Sequence, residues 1–304
     1  MKKSPQYDVI IIGGSYAGLS AALSLGRSMR TTLIIDSGSP CNKKSPFTHN
    51  FLASDCSRPQ TITIKAREQV LLYPSVSFEE GYVTDVTPGD ELFEVSTREN
   101  KSYTAKKVLF ATGVRDTMPI TTGFDDCWGL SILHCPYCHG YECKNQRIGV
   151  LGNGDMGFEL AKTISQWTGK LTLYTNGTST LTPKEVQKLN SHDILVVENE
   201  IENFEHDNGY LEKLHFKNMP PEELDILFTQ LPFKQHSDIP EKLGCELTEK
   251  CFIKVTHSME TSVPGIFAAG DCLTLFRSIA NAVAQGNKAG AAINKQLTEE
   301  AFAE

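Results

Sequence analysis

The chain has 304 residues, a formal net charge of −8 and 40% hydrophobic residues. That length suggests about two domains, and an acidic balance with no basic block argues against nucleic acid as a partner. No apolar run approaches the roughly 20 residues that a membrane span needs, so no membrane association is expected.

The N-terminus, MKKSPQYDVIIIGG, sets two lysines before an apolar run, as an export signal does. Residues 9–12 are shorter than the usual apolar core of about 7–15 residues, and glycines follow where a cleavage site would stand. The expectation is a buried strand in a cytoplasmic protein. From there YDVIIIGGSYAGLSAALSLGRSMRTTLIIDSG spells strand, turn, helix and second strand. Gly13 permits the tight turn and Gly18 close helix–strand packing, while the helix start offers its N–H groups to a pyrophosphate. Ser15 stands where the fingerprint usually has its middle glycine, and it is small. Ala17 keeps the same surface small. Asp36, with Ser37 after it, closes the second strand about 20 residues on, where an acid accepts from a ribose hydroxyl. Strand, turn, helix, strand and acid together specify a dinucleotide site far better than glycines alone.

KKVLFATGVRDTMP follows at 106–119, a strand leading into Ala111-Thr112-Gly113. Nine cysteines lie at 41, 56, 127, 135, 138, 143, 245, 251 and 272. Their scatter and odd number do not describe a secreted disulfide framework. Only Cys135 and Cys138 form C-x-x-C, and His139 completes C-x-x-C-H. That motif fits haem attachment, a zinc site, a buried thiol pair or a redox disulfide. Haem attachment usually belongs to exported proteins. Zinc would need Cys135, Cys138, His139 and Cys143, four ligands within nine residues, where structural sites usually draw two separated pairs. A redox pair needs only thiolates and a nearby base, which His139 can supply.

QRIGVLGNGDMGFELAKTISQWTGKLTLYTNG repeats strand, turn, helix and strand at 146–177, with Gly152, Gly154 and Gly157 in full G-x-G-x-x-G spacing. A second dinucleotide site is implied, for NAD(P)H. Its second strand ends in Asn176-Gly177-Thr178-Ser179, with no acid for a ribose and no arginine for a 2′-phosphate. The use of NAD(P)H is therefore left undecided. TSVPGIFAAGDC (261–272) then ends a strand at Gly270-Asp271, and AVAQGNKAGAAI (282–293) reads as a small-residue helix.

This order of motifs resembles the low-molecular-weight thioredoxin reductases and their dithiol-oxidase relatives over nearly the whole chain. The resemblance implies an α/β fold of two Rossmann-like dinucleotide-binding domains, the second inserted into the first. Residues 1–117 and 243–304 would form a discontinuous FAD domain, and 118–242 a NAD(P)-binding-like domain carrying the C-x-x-C. It implies FAD contacts from Asp271, Val83 and the Ala111-Thr112-Gly113 turn. It also implies that Cys138 serves the flavin, that Cys135 exchanges with substrate, and that His139 replaces the usual acid–base aspartate. THNFLASD (48–55) resembles the dithiol-oxidase branch, where His49 and Asn50 would approach the flavin. A thioredoxin-like protein or a small dithiol or disulfide is the implied partner, and a homodimer the implied assembly. Three functions follow: a disulfide reductase using NAD(P)H, a dithiol oxidase passing electrons to oxygen, or a non-catalytic flavin- or metal-binding redox sensor.

Overall fold

The protein is described by a computed structural model, which covers residues 5–303. Lys2 and Lys3, weighed above against an export signal, lie outside the described residues. The chain divides into two compact units. The first comprises residues 1–43, 60–115 and 233–304; the second comprises 44–59 and 116–232. The return to the first unit thus falls at Phe233, where the motif order placed it at about 243, and 44–59 groups with the second unit.

In the first unit the strand Gln6–Ile12 is central because Val9, Ile10 and Ile11 are fully buried and β-branched, as a strand covered on both faces requires. Parallel neighbours Thr32–Asp36 and Val76–Glu80 lie to one side, and Ser102–Phe110 to the other. The first half of Ser102–Phe110 pairs antiparallel with Phe93–Thr97, which pairs with Val83–Pro88; its last residues pair in parallel with Ile266–Ala268. Two short strands, Val114–Asp116 and Phe233–Gln235, pair with each other. One face of the sheet carries the helix Tyr16–Arg27, and the long helix Ile279–Ala303 packs on that helix. Their contact is a seam of alanines and glycines, closed by a Ser20 Oγ donation to the Val283 carbonyl at 2.7 Å. Small side chains let the backbones approach, and so fix where the N-terminal end of each helix stands relative to the strand ends.

The second unit is built on a five-stranded parallel sheet in the order Leu195–Val197, Leu171–Tyr174, Ile148–Leu151, Ile226–Thr229, Ile132–Leu133. The helix Gly154–Ile164 covers it through Phe158, Leu160, Ala161 and Ile164. A three-stranded antiparallel sheet, Ile201–Asp207, Tyr210–Phe216 and Glu222–Glu223, completes this unit around Phe124, Phe204 and Leu214. Both glycine turns therefore connect a buried parallel strand to a helix, as the patterning predicts. No helix among the described residues is long and apolar enough to cross a membrane.

Candidate active site

The first glycine turn sits at the C-terminal edge of the first sheet. Gly13 has φ +107° and donates its N–H to the Ile35 carbonyl at 2.8 Å. A β-carbon there would lie 2.3 Å from the Ala111 carbonyl oxygen, and one on Gly18 would lie 1.9 Å from that of Gly13. The turn, the start of the helix and the Ala111-Thr112 turn are thus in backbone contact, with no room for side chains between them. Ser15 is the helix N-cap but makes no side-chain cap bond, and the first turn carries no acid. Such a helix end suits an anion. Asp36 is fixed by the N–H groups of Gly14 at 2.9 Å and Gly38 at 3.2 Å, one on each carboxylate oxygen.

Gly270 turns the chain with φ +92°, and its N–H donates to Gln285 Oε1 at 2.8 Å. A β-carbon on Gly270 would come within 3.0 Å of the Ala17 side chain, so Asp271 follows directly beside the first helix start. Thr112 Oγ1 is buried in this cradle with no hydrogen-bond partner among the described residues. Next to Asp36 and Ser37 opens a cleft of about 820 Å³, within the range of small-molecule sites. A glycine cradle, a fixed acid beside a cleft and an orphaned buried hydroxyl fit an extended dinucleotide such as FAD. Gly113 continues the Ala111 turn with φ +65°. Val83 points into the second hydrophobic core of this unit.

Sequence reasoning missed Arg115, Gln235 and His236, which also line the cleft. Burial lowers the His236 pKa, helped by the nearby charge of Arg115. Gln235 gives its amide N–H to the carbonyls of Cys251 and Cys272 and leaves Oε1 buried without a partner. No local motif could find them: Arg115 precedes the second unit's main segment and His236 follows it, and only the pairing of two short strands joins them.

In the second unit Cys135 is the N-cap of the one-turn helix Pro136–His139. Pro136, with φ preset, opens that turn, and the Cys138 N–H donates to the Cys135 carbonyl at 3.2 Å. Both thiols are half-buried. Tyr137 points outward with its ring edge-on to Trp167. Cys143 turns into the core, where burial, then Glu142, push its thiol up to about 12. It is packing, and no third thiol of the site. His139 is held down to about 4, first by burial and second by His49, whose ring lies edge-on at 6.3 Å. In this state His139 is neutral at pH 7 and able to accept a proton. His49 and Asn50 lie in the 44–59 segment of the second unit. Asn50, with φ +58°, donates its N–H to Asp55 at 2.7 Å.

This histidine has a consequence for stability. A lowered folded pKa means that the unfolded chain binds the proton first, so stability is present above the unfolded value near 6.5 and is lost as pH falls towards about 4. Urea melts at pH 7 and pH 5 should show weaker folding at pH 5. His139→Gln should narrow that difference; an unchanged difference would place the acid sensitivity elsewhere.

At the second glycine turn Asn153 is the helix N-cap. Its Oδ1 accepts from the Gly154 N–H at 2.9 Å, the Thr180 N–H at 2.8 Å and Thr180 Oγ1 at 3.1 Å. Its Nδ2 donates to the Thr178 carbonyl at 2.9 Å. The loop after Leu171–Tyr174 is thus tied down over the turn that Gly152, Gly154 and Gly157 form. The same loop is folded internally by Thr175 Oγ1 donating to the Gly177 carbonyl, and by Asn176 Oδ1 accepting from Ile201.

One unit able to hold a flavin dinucleotide and another presenting a half-buried dithiol define a flavoprotein of thiol–disulfide chemistry. The pyridine nucleotide-disulphide oxidoreductase family matches residues 7–286, and the chain belongs to it. It is 31% identical to the thioredoxin reductase tcpT of Claviceps purpurea (strain 20.1), covering 98% of this chain and 96% of that one. The crystal structure of TrxB from Bacillus anthracis superposes with a TM-score of 0.93 at 31% identity, over 97% of this chain and all of that one. An oxidoreductase from Agrobacterium tumefaciens gives a TM-score of 0.91 at 34% identity, over 96% and 99%. The protein is an FAD-dependent thiol–disulfide oxidoreductase.

Proposed function

We propose that electrons enter this protein chiefly from a dithiol through Cys135 and Cys138, with nicotinamide a poor donor. The observation that carries this is Asn153, whose four hydrogen bonds hold the 178–180 loop against the second glycine turn. No Lys or Arg occurs in 174–182 to meet a 2′-phosphate. Charge-assisted bonds contribute about 1.5–3 kcal/mol each, so lacking two weakens NADPH by about a hundredfold or more. The first glycine cradle, with Gly13, Ser15, Ala17, Gly18, Asp36, Ser37, Ala111, Thr112, Gly113, Gly270 and Asp271, holds FAD, which supplies a two-electron acceptor for the thiols. Residues 1–43, 60–115 and 233–304 would be that FAD unit, and 44–59 with 116–232 the unit of the dithiol.

Cys135, at the lip of its turn, exchanges with the substrate, and Cys138 completes the disulfide. A substrate dithiol closes to a disulfide as the Cys135–Cys138 disulfide opens; reoxidation of that pair releases two electrons and two protons. Neutral His139 is the base beside Cys138. The substrate is a dithiol, carried on a thioredoxin-like protein or a small molecule, oxygen is the final acceptor, and the working form is a cytoplasmic homodimer.

The test is anaerobic stopped-flow bleaching of the yellow protein. Dithiothreitol should bleach it faster than NADPH or NADH, and the two nicotinamides should act at similar, slow rates. Rapid bleaching by micromolar NADPH with NADH far behind would overturn this reading. The outcome would then be the second reading, a nicotinamide-driven disulfide reductase, which the complete spacing of Gly152, Gly154 and Gly157 favours.

A further inference from the structure

Oxidising a dithiol sends two protons out of a half-buried site. His139 can take one, and as a half-buried group that holds a proton weakly it passes it on. Its ring faces His49 edge-on, with centroids 6.3 Å apart, a spacing across which a water can carry a proton. His49 also faces carboxylates. Its Nδ1 lies 3.4 Å from Glu142 Oε1 and 3.9 Å from Asp55 Oδ1. Exposure rises along this series: the His49 side chain is 13% exposed, Glu142 41% and Asp55 67%.

The loop that carries His49 is braced for the purpose. The Thr48 N–H donates to the Ser57 carbonyl at 2.7 Å, and Asp55 Oδ1 also accepts the Asn50 N–H at 2.7 Å. Glu142 comes from the opposite side, three residues after His139, on the turn that continues the Pro136–His139 helix. The neighbouring Lys144 is engaged over the Tyr141 ring at 4.0 Å, and Cys143 is buried. The titratable groups placed beside His49 are His139, Glu142 and Asp55.

We propose that His49, held by Glu142 and Asp55, is the second station of a proton path that runs from the Cys135–Cys138 dithiol through His139 to solvent. The path rests on the redox role of that dithiol. In each turnover two S–H bonds break and one S–S bond forms. The electron pair and one proton go to FAD, and the other proton, taken by His139 Nε2 or Nδ1, passes by water to His49 and out past Glu142. His49 acts through His139 and is a positioning and relay residue.

The test uses the full-length FAD-loaded protein in anaerobic bleaching by dithiothreitol as a function of pH. His49→Ala should slow bleaching at pH 7 by on the order of tenfold or more, and added imidazole should restore much of the rate. Glu142→Gln should shift the neutral limb of the pH profile, and Glu142→Asp should return it. Histidine-ring NMR titration gives a readout apart from turnover: His139 should titrate at higher pH in His49→Ala than in the wild type. Wild-type bleaching by His49→Ala at every pH would overturn the path. So would a pH-independent slowing without response to imidazole, which is the mark of a packing role. Cys138→Ser separates the two levels. If it still turns over dithiol, the redox reading fails and takes the path with it. If it is inactive while His49→Ala is unimpaired, only the path fails.

Discussion

Gly18→Ala should leave a folded protein that purifies colourless or nearly so. The added β-carbon would stand 1.9 Å from the Gly13 carbonyl oxygen, a backbone atom held in turn by the Gly13–Ala111 contact. Nothing flexible can yield, so the start of the Tyr16–Arg27 helix must move off the turn. Overpacking of this kind costs about 1–3 kcal/mol, and the moved N–H groups no longer converge on the pyrophosphate, so FAD should weaken by about a hundredfold. Gly18→Asp adds a negative charge at the same place and should be more severe. The measurement is FAD titration by flavin fluorescence quenching, with circular dichroism to verify the fold. A Gly18→Ala protein that retains stoichiometric FAD through dialysis would show that the pyrophosphate does not sit at this helix start.

Cys138→Ser should keep FAD and lose dithiol-driven bleaching by about a thousandfold or more, because a hydroxyl replaces the sulfur that must close the disulfide. Cys135→Ser should also stop turnover, but it leaves Cys138 in place. By the roles proposed above, a long-wavelength charge-transfer band between the Cys138 thiolate and oxidised flavin should then appear in Cys135→Ser and be absent from Cys138→Ser. Equal spectra in the two variants would remove the distinction between the cysteines. Full activity in both would make the motif structural. Cys143 offers no replacement thiol, since burial pushes it up to about 12.

The two βα turns could be read from residue order because their chemistry is local. A β-branched run such as 9–12 must be buried, a glycine at a backbone contact cannot be exchanged for alanine, and an acid at a strand end stands beside the turn before it. The same holds for Cys135 and Cys138, whose spacing alone puts them at the two ends of one helical turn. Chain order likewise carried the interrupted first unit, since the Gly270-Asp271 strand end comes after the second glycine turn. What tertiary structure decided is everything that depends on partners distant in sequence. Arg115 and His236 share a cleft only through strand pairing across the intervening segment. Cys143 is inert because the core of the second unit removes it from water. Asn153 reads as a spacer between glycines until the 178–180 loop folds back on it. His139, by residue type a group that titrates near neutrality, is kept neutral by burial and by His49, some ninety positions earlier in the chain. Local sequence specifies backbone geometry and reactive atoms; desolvation and charge are set by whatever packs around them, and only the folded chain determines that.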